Sequence, residues 1–598
     1  METIWTPLTL SLPDARSRTF PARAIFLAYQ HGHVSPDDGR LLTEKALTFF
    51  IERFKSPLGG VLLGEVFLSP VHQTAYAYRG MLCEDEARLD TLEDFIKRLR
   101  LVSGEAQLGV HLHASTCERL LAEKTDLALL SRLSRLFSMI DWIECDLPFA
   151  THLMERLSCW WSTTSAASSS PALPTLCVRV GVRPSMTEER VGAWRDILVD
   201  TAQASNTTLL VHVHHAEDVA SVHMGGSERA SALLGKIARW LITPSLEAEH
   251  DIRLLISGRI KHSEDARRVL DFHGASLVGM SRALLAEPAV LANDLRGEMS
   301  VFCMGCMACV VSEKESLRAF GLGGKRCVLR PDLTPITSHP DVKRWLFLGA
   351  SYTSLTLAEA SAIQGHEVHM YTLGDPPGGM LRLRGRTPGQ AECAEVVLQR
   401  LDQCKALETF HMHTERLTFE EIFAVVDAMR EQEEDVGIVL GLLPRSEVPE
   451  SSLSLLDMLC AGSSRVAYPS LAVNQDMLLC VRGSALIAVE GALFLQMQGH
   501  RVCIVEDEEG LAHDTHEVWG AHYEQVLRSR KIARVRHVEA IEEPYQEVAP
   551  GEVLLPHAWE AALIEHIGRA TVSYRIEDRY EPFARLVTLG ARRVQSSM

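Results

Sequence analysis

The chain has 598 residues, with 60 Lys and Arg against 78 Asp and Glu, which gives a formal net charge of −18. This length exceeds what one hydrophobic core usually supports, so three or four domains are expected. The acidic balance argues against a nucleic-acid scaffold, because phosphate binding depends on a cationic surface.

The N-terminus shows no basic region followed by an apolar run, and nowhere do about 18 uninterrupted apolar residues occur to span a bilayer. We therefore expect a cytoplasmic protein without a membrane span. The chain has 14 cysteines and no export signal, which predicts reduced thiols and metal ligation rather than disulfides.

Up to about residue 300, short apolar runs alternate with longer amphipathic stretches, a pattern that predicts parallel strands joined by helices. Eight such runs occur: ARAIFLAY, GGVLLGEVFL, AQLGVHLHA, DWIECDL, LCVRVGV, TTLLVHVHH, IRLLISG and SLVGMS. The count predicts an α/β fold with a (β/α)8 TIM barrel over residues 1–300, whose site lies at the carboxyl ends of the strands. The Ser-rich stretch 158–174 interrupts the pattern and is predicted to be a surface loop.

Four cysteines follow the predicted barrel in the pattern Cys303-x2-Cys306-x2-Cys309-x17-Cys327. The x2 spacing lets one turn of backbone direct successive thiolates at one centre, and a metal must neutralise their charge. Residues 301–341 are therefore predicted to hold an iron–sulfur cluster or zinc, since spacing alone does not separate the two. The alternative is a redox pair or coincidence in a cysteine-rich chain.

Two βαβ units of nucleotide-binding type come next, one starting at VKRWLFLGA and one at MLLCVRGSA. Each contains a Gln-Gly-His-x-Val element before its second strand, which indicates an internal duplication. We assign residues 342–475 to the first Rossmann-like domain and residues 476–556 to the second. The final stretch, 557–598, is predicted to return and complete the first.

This order of elements resembles the 2,4-dienoyl-CoA reductase and trimethylamine dehydrogenase branch of the old yellow enzyme family. The clearest stretches are ISGRIKHSEDARRVLDFHGASLVGMSRALLAEP, FCMGCMAC and CVLRP. The resemblance implies FMN in the barrel and a [4Fe-4S] cluster on the four cysteines. It also implies FAD or a nucleotide and NAD(P)H in the tandem domains, with an enoyl-CoA, an enone or an amine as substrate.

The family's FMN phosphate site corresponds to residues after the seventh and eighth barrel strands, where backbone N–H groups and a fixed cation converge. The matching residues are Gly258, Arg259, Gly279, Met280 and Arg282. A plain loop glycine with a surface arginine is the alternative. Arg183 matches the arginine that approaches the flavin pyrimidine edge, although a buried structural ion pair is an alternative for it too.

The barrel also departs from the family pattern. The substrate-orienting positions fall on Asp146 and Phe149, and the proton-donating Tyr position falls on Thr151. An aliphatic hydroxyl is a poor proton donor at neutral pH, so reduction of an activated alkene requires another group. The flavin-contacting Gln position falls on Val110.

Histidines are the candidates for the missing acid. His113 keeps its place in the family pattern, and a predicted strand ends in His212, His214 and His215. We predict His215 and His113 as catalytic residues, because imidazole titrates in the useful range. A structural role for a histidine at a strand end is the alternative.

The dinucleotide-binding turns are eroded, because only the first glycine of G-x-G-x-x-G remains in each copy. The first copy has Gly349, Ser351 and Ser354 at these positions, and the second has Gly483, Ala485 and Ala488. The position of the acidic residue that would hold the ribose is occupied by Thr372 in the first copy and by Glu506 in the second. These changes argue against FAD in the first domain and NAD(P)H in the second, although Glu490 and Glu506 keep the outline of the second site.

Two functions follow. The first is a flavin and iron–sulfur oxidoreductase that passes electrons between FMN and a [4Fe-4S] cluster. The second is a catalytically inactive paralogue that scaffolds or regulates an active homologous subunit. In either case we expect a homo- or hetero-oligomer, with an active homologue or an electron-transfer protein as partner.

Overall fold

The structure is a computed structural model of the chain. It describes residues 4–11, 17–28, 43–67, 81–82, 85–121, 127–153, 155, 174–183, 186–205, 208–215, 227–298, 300–305, 309, 327, 329, 344–372, 376–386, 391–415, 421, 424–425, 428–429, 436–440, 478–482, 486–506, 511, 517–538, 546–549, 552–556 and 573–575. The chain divides into two compact units, Met1–Leu329 and Arg330–Met598. No helix in the described ranges is long and apolar enough to cross a membrane.

The first unit opens with an antiparallel hairpin and continues into a closed parallel barrel. The hairpin strands are β1 (Leu8–Ser11) and β2 (Ser17–Phe20). The barrel strands are β3 (Ala24–Leu27), β4 (Gly60–Phe67), β6 (Gln107–Leu112), β7 (Trp142–Asp146), β8 (Thr175–Val182), β9 (Leu209–His215), β10 (Ile252–Ser257) and β11 (Leu277–Met280), and a short strand β5 (Met81–Leu82) pairs with the end of β4.

Each barrel strand pairs in parallel with its neighbours, and β3 pairs with both β11 and β4, so the sheet closes. All eight predicted strands are present, and the TIM barrel is confirmed. The helices of this unit are α1 (Thr43–Arg53), α2 (Glu86–Ser103), α3 (Ala114–Leu121), α4 (Leu127–Met139), α5 (Glu188–Ser205), α6 (Ser227–Leu241), α7 (Pro244–His250), α8 (Ser263–His273), α9 (Arg282–Ala286) and α10 (Val290–Arg296), with a 3-10 turn at Leu147–Phe149.

The period-two alternation of the barrel strands separates two apolar cores. The larger core lies between the strands and the helices. The smaller core fills the amino-terminal half of the lumen, where Leu8, Leu10 and Phe20 of the hairpin join inward residues of the strands. Those inward residues are Ile25, Leu27, Leu62, Trp142, Cys177, Leu210, Leu255 and Leu277. Because the hairpin seals the amino-terminal end, the carboxyl end is the side on which a ligand can enter.

The second unit contains two sheets. The first sheet has the order β14-β13-β12-β15 and is parallel throughout. Its elements are β12 (Arg344–Leu348), α11 (Tyr352–Ile363), β13 (Glu367–Tyr371), α12 (Gly379–Arg384), α13 (Ala391–Lys405), β14 (Phe410–His413) and β15 (Val436–Leu440).

The second sheet has the order β19-β20-β18-β17-β16-β21, with β19 antiparallel to β20 and the remaining pairs parallel. Its elements are β16 (Leu478–Arg482), α14 (Leu486–Met497), β17 (Arg501–Glu506), α15 (Glu517–Ser529), β18 (Ala533–Val538), β19 (Gln546–Ala549), β20 (Glu552–Pro556) and β21 (Ser573–Arg575). The two sheets confirm the predicted tandem α/β domains.

One assignment of the terminal segment differs from the sequence-based prediction. Strand β21 pairs in parallel with β16, with Cys480 opposite Ser573, so it extends the second sheet. The prediction placed residues 557–598 with the first domain. Sequence pattern identifies a strand here but does not choose between two similar parallel edges, which explains the difference.

Candidate active site

A buried chain of polar side chains crosses the lumen of the barrel. Glu144 of β7 is fully buried, and its two carboxylate oxygens lie 3.0 Å from His111 Nδ1 and 2.7 Å from His212 Nδ1. Because an ionised carboxylate only accepts hydrogen bonds, both Nδ1 atoms carry a hydrogen. His212 Nε2 lies 2.6 Å from the hydroxyl of Ser257 on β10. The chain therefore links β6, β7, β9 and β10.

The charge state of Glu144 follows from these partners. Burial acts to raise the pKa of this carboxyl, but the charge of His212 and the hydrogen bonds from His111 and His212 outweigh it, so the pKa lies well below its usual range. An ionised carboxylate in the lumen is tolerated only because both oxygens are hydrogen-bonded. The network thus holds the two imidazoles in fixed orientations.

Above this network, towards the carboxyl end, lies a second polar layer. Asp146 is 38% exposed, and its carboxylate lies 3.7 Å from Arg179 Nη1 and 3.9 Å from His111 Nε2. His214 donates from Nδ1 to the backbone carbonyl of His215 at 2.7 Å. Burial, and then the charge of Arg179, place the pKa of His214 well below its usual value, so its imidazole is neutral and Nε2 is an acceptor.

The two histidines predicted as catalytic lie in different places. His113 follows β6, with its ring 4.2 Å from the Phe67 ring and its Nδ1 2.9 Å from the Ser115 hydroxyl. Burial and the nearby His111 lower its pKa. His212 and His214 lie two residues apart on β9 and face the lumen, so the next residue, His215, faces outwards.

The surroundings of His215 agree with that direction. A Cβ added to Gly258 would lie 3.0 Å from the His215 ring and 3.0 Å from the Leu234 side chain of α6. His215 therefore packs between the barrel and the helix layer. His214, which the alternation directs into the lumen, has the position that the prediction gave to His215.

The positions that depart from the family pattern are explained by local contacts. Thr151 hydrogen-bonds to the Thr201 hydroxyl at 2.8 Å on α5 and thus contacts the helix layer. Val110 belongs to the core between strands and helices, whereas its neighbour His111 faces the lumen. A lumen contact at this strand therefore comes from His111.

The residues predicted to bind the FMN phosphate follow β10 and β11. Gly258 has φ +130° and Arg259 has φ +54°, which are two consecutive positive values at the end of β10. A non-glycine residue in this region is uncommon, and Arg259 is also 93% buried, with 7% exposed. Met280 ends β11 and Arg282 begins α9, so both loops lie at the carboxyl end of neighbouring strands.

Gly279 has a packing explanation of its own. A Cβ there would lie 2.3 Å from Leu27 Cδ1 and 2.7 Å from Ser257 Cβ, so any larger residue would force the lumen apart. Arg183 follows β8 and is exposed at the mouth of the barrel. The residues predicted to bind the FMN phosphate and this arginine therefore lie at the same end of the barrel.

Three of the four predicted metal-ligating cysteines are described. Cys303, Cys309 and Cys327 are partly buried, and the backbone N–H of Gly305 donates to Cys303 Sγ at 3.4 Å. Cys309 and Cys327 pack against the larger barrel core. Cys306 lies outside the described residues, as does Gly483 of the second dinucleotide turn.

The first dinucleotide turn is occupied by its own side chains. Gly349 keeps a positive φ of +97°, but Ser351 is the N-cap of α11 and its hydroxyl accepts from the Ser354 N–H at 3.1 Å. The two serine hydroxyls lie 2.8 Å apart. A helix N-terminus binds phosphate through such N–H groups, so the cap competes with a dinucleotide at this turn.

The two acids of the second domain form ion pairs. Glu506, predicted to hold a ribose, pairs with Arg534 of β18, and both side chains are nearly fully buried. Glu490 of α14 accepts from Arg384 at 2.8 and 2.9 Å and from the Tyr523 hydroxyl at 2.5 Å. Both carboxylates therefore make structural contacts that a ribose would have to displace.

The sequence analysis missed Glu144, Arg179 and the role of His111. A signal was present in the printed sequence: polar residues at alternating positions inside otherwise apolar strands, as in GVHLH and IECD. In a barrel strand this alternation places them on the inward face.

Comparison with known proteins supports the fold over the whole chain. No family model matches it. The histamine dehydrogenase of Rhizobium sp. 4-9 superposes with a TM-score of 0.69 at 13% identity and covers 100% of this chain and 96% of its own. A 2-naphthoyl-CoA reductase in complex with 2-naphthoyl-CoA gives 0.67 at 13% identity, with 99% of each chain covered.

A third structure, the 6-hydroxypseudooxynicotine amine oxidase of Pseudomonas geniculata N1, gives a TM-score of 0.69 at 14% identity over 99% of this chain and 98% of its own. The chain has their fold. This confirms, for the architecture, the resemblance predicted from the barrel, the cysteines and the tandem domains.

The curated sequence relatives align with only part of the chain. A probable N-methylproline demethylase of Rhizobium meliloti (strain 1021) is 24% identical over 267 residues, which is 43% of this chain and 37% of the relative. A metal reductase of Desulforamulus reducens is 25% identical over 190 residues, 29% of this chain and 26% of the relative. The alignments thus span well under half of either relative.

Proposed function

We propose that this chain is a flavin-dependent oxidoreductase that binds FMN at the carboxyl end of the barrel and passes electrons to a [4Fe-4S] cluster. The observation that carries the proposal is the pair Gly258 and Arg259, a buried positive-φ loop at the open end of a barrel whose other end is sealed. A relative named as a metal reductase and three solved structures named as a reductase, a dehydrogenase and an amine oxidase support it.

The residues present fit an FMN phosphate. The positive φ values turn the backbone of this loop, and a Cβ on Gly258 would crowd the His215 ring. Arg259 supplies a fixed cation, and Arg282 follows the adjacent strand. Such a loop with a guanidinium is a recurrent phosphate site in barrels of this type.

The donor set also fits an iron–sulfur cluster. Thiolates are the ligands that such clusters require, and Cys303 already accepts a backbone N–H, as cluster sulfurs commonly do. Cys309 and Cys327 lie against the barrel core, which keeps solvent from one side of the segment. When bound, the flavin accepts two electrons and the cluster accepts one at a time.

The side chains at the mouth favour an amine over an activated alkene as substrate. Asp146 offers a carboxylate, and neutral His214 offers an acceptor nitrogen, so the described mouth residues can attract a cationic amine and accept hydrogen bonds from it. Thr151, at the family's proton-donor position, contacts Thr201 instead. Reduction of an enone or enoyl-CoA would require a proton donor elsewhere in the site.

The second candidate function is an inactive paralogue that scaffolds or regulates an active homologous subunit. The self-capped turn at Ser351 and the paired acids Glu490 and Glu506 favour it, because they leave the tandem domains without an open dinucleotide site among the described residues. The capped first turn does not favour FAD, and the ion pair of Glu506 with Arg534 does not favour the ribose of NAD(P)H. The two functions combine if this chain relays electrons within an oligomer beside an active homologue or an electron-transfer protein.

The test is an anaerobic absorption spectrum of the purified full-length chain, with iron, sulfide, zinc and extracted flavin measured on the same sample. Flavin with about four iron atoms per chain is the expected result. Cys306→Ala should remove iron and sulfide and leave flavin in place. The control is Cys404→Ala, because burial raises the pKa of the Cys404 thiol to about 12 and makes it unreactive.

Each outcome decides between the candidates. Iron without flavin would leave an electron relay and rule out turnover in the barrel. Absence of both iron and flavin would favour the inactive paralogue. Full iron content in Cys306→Ala would show that the ligand set is wrong.

A further inference from the structure

A second group of metal-ligating side chains lies on the first sheet of the second unit, far along the chain from the cysteines. Glu367 and His369 are two residues apart on β13 and therefore share a face of the sheet. His411 on β14 lies directly opposite His369 in the parallel register. Ligand atoms of these three residues all lie within 4.8 Å of one another.

The separations are those of a site that an ion can close. His369 Nε2 lies 2.9 Å and His411 Nε2 lies 4.0 Å from the same oxygen, Glu367 Oε1. With metal–nitrogen distances of about 2.1 Å, tetrahedral ligands lie roughly 3.4 Å from each other. Small side-chain rotations bring all three atoms to that spacing.

Neighbouring side chains fix the orientation of the ligands. Arg344 binds the other oxygen of Glu367, Oε2, at 2.7 and 2.9 Å, which leaves Oε1 directed at the imidazoles. His413 Nε2 lies 3.1 Å from His369 Nδ1, and the His413 ring stacks on Tyr371 with centroids 4.2 Å apart. Such contacts to the second imidazole nitrogen are typical of histidine ligands.

The hydrogen-bond pattern has two solutions. If His413 donates to His369 Nδ1, then His369 donates from Nε2 to Glu367 and only protons are involved. If His369 donates from Nδ1 to His413, its Nε2 faces the carboxylate at 2.9 Å with either a second hydrogen or a lone pair, and a lone pair there requires a cation that binds both atoms. His411 adds a third donor at the open side, where it is 46% exposed.

We propose that Glu367, His369 and His411 form a binding site for a borderline divalent transition-metal ion, with Zn²⁺ as the representative. Two imidazoles and one carboxylate are a ligand set that Zn²⁺, Ni²⁺ and Cu²⁺ accept, and alkaline-earth ions disfavour nitrogen. The exposed side leaves a coordination position for water. The site is separate from the flavin and cysteine proposals and does not depend on them.

The test is a titration of the full-length, anaerobically purified chain with Co²⁺, followed by displacement with Zn²⁺. Cobalt on nitrogen and oxygen ligands gives visible ligand-field bands without the sulfur charge-transfer band of thiolate ligation, so this site is distinguished from the cysteines. We expect one equivalent with the sulfur-free spectrum. His411→Asn and His369→Asn should each weaken its binding by about tenfold or more.

The matched control is His152→Asn. His152 is a surface histidine that also lies beside a carboxylate, with Glu155 Oε2 3.4 Å from its Nδ1, but it has no second imidazole in the described surroundings. It should bind Co²⁺ as the wild-type chain does. Circular dichroism checks that each variant is folded, and His411→Asn is the safer variant because of its exposure.

Two results would overturn the proposal. One is a wild-type chain that shows no sulfur-free Co²⁺ equivalent. The other is unchanged affinity in both folded variants. Either result would mean that Glu367, His369 and His411 are a hydrogen-bonded cluster that binds no metal ion.

Discussion

The mouth of the barrel and the first dinucleotide turn both correspond to cofactor sites in the family that the sequence resembles, and their residues make different contacts in this chain. At the mouth, Gly258 and Arg259 keep two consecutive positive φ values at the end of β10. At the first turn, Ser351 and Ser354 bond to each other and cap the helix. The comparison shows that groups typical of a phosphate site make contacts within the protein at the first turn.

The second domain shows the same change with charged groups. Two acids of this domain are paired with buried arginines, Glu506 with Arg534 and Glu490 with Arg384. Ion pairs of this kind are costly to break on one side only. Substitutions can therefore measure how far each region serves structure or binding.

The largest effect is expected from Glu490→Gln. Arg384 would remain buried without its countercharge, and the Tyr523 hydroxyl, whose pKa burial and Glu490 place well above its usual value, would lose its carboxylate acceptor. Breaking a buried pair on one side costs about 3–5 kcal/mol. Chemical denaturation should show this loss in the free energy of unfolding of the second unit.

The double variant Arg384→Met with Glu490→Leu is the matched control. It removes both charges and should recover most of the lost stability, because similar apolar residues replace the pair without an unpaired charge. If Glu490→Gln unfolded like the wild-type chain and instead lowered NADH binding, Glu490 would be a cofactor residue and the comparison would fail for the second domain.

At the mouth, Arg259→Gln should affect binding rather than folding. A hydrogen bond to a charged group contributes about 1.5–3 kcal/mol, so the affinity for FMN should fall about ten- to a hundredfold. Fluorescence quenching of free FMN measures this directly. Arg253→Gln, on the same segment but paired with the local Asp251, is the control that should leave FMN binding unchanged.

A result in which both arginine variants bind FMN equally well would contradict the assignment of the phosphate loop. It would also remove the difference between the two regions, since Arg259 would then be a structural residue like Arg534.

The lumen network should make the free energy of unfolding of the barrel depend on pH in the acidic range. The pKa of Glu144 is lowered in the folded chain, so its ionised form stabilises the fold above the unfolded value near 4.5, and this contribution is lost as pH falls through the folded pKa. The slope of unfolding free energy should reach up to about 1.4 kcal/mol per pH unit below pH 4.5.

Glu144→Gln should abolish that part of the slope, as measured by denaturation at a series of acidic pH values. Glu155→Gln, an exposed carboxylate beside the exposed His152, is the comparison, because an exposed pair contributes little. An unchanged acid slope in Glu144→Gln would mean that the lumen carboxyl is not ionised in the folded chain.

Local sequence patterns predicted the strands of the barrel but not the contacts between distant segments. The eight barrel strands were predicted because apolar runs and turns are local, and the closed sheet follows from their number. His215 illustrates the limit: three histidines end one strand, and only the pleat places His214 inwards. The partners of Glu144, Glu490 and Glu506 come from distant segments, and no local pattern specifies such contacts.

The placement of β21 has the same cause. Two parallel sheets built from similar repeats offer similar edges, and the short strand at Ser573–Arg575 carries no alternation that selects one of them. The predicted boundaries of the tandem domains remain predictions for that reason.

The smallest effect is expected at the self-capped turn, and it tests how the turn was closed. Ser351→Ala removes the hydroxyl that accepts from the Ser354 N–H and should cost about 1 kcal/mol, whereas Ser351→Gly should cost only a few tenths. Ser361→Ala, which removes a buried hydroxyl bonded to Leu357 O within the same helix, serves as the reference.

Because glycine frees the Ser354 N–H group and also lacks a Cβ, Ser351→Gly is the variant in which dinucleotide binding would reappear if the Ser351 side chain alone blocks the site. Thermal unfolding with and without FAD separates the two contributions, and an equal cost for alanine and glycine would show that Ser351 does not act as a cap.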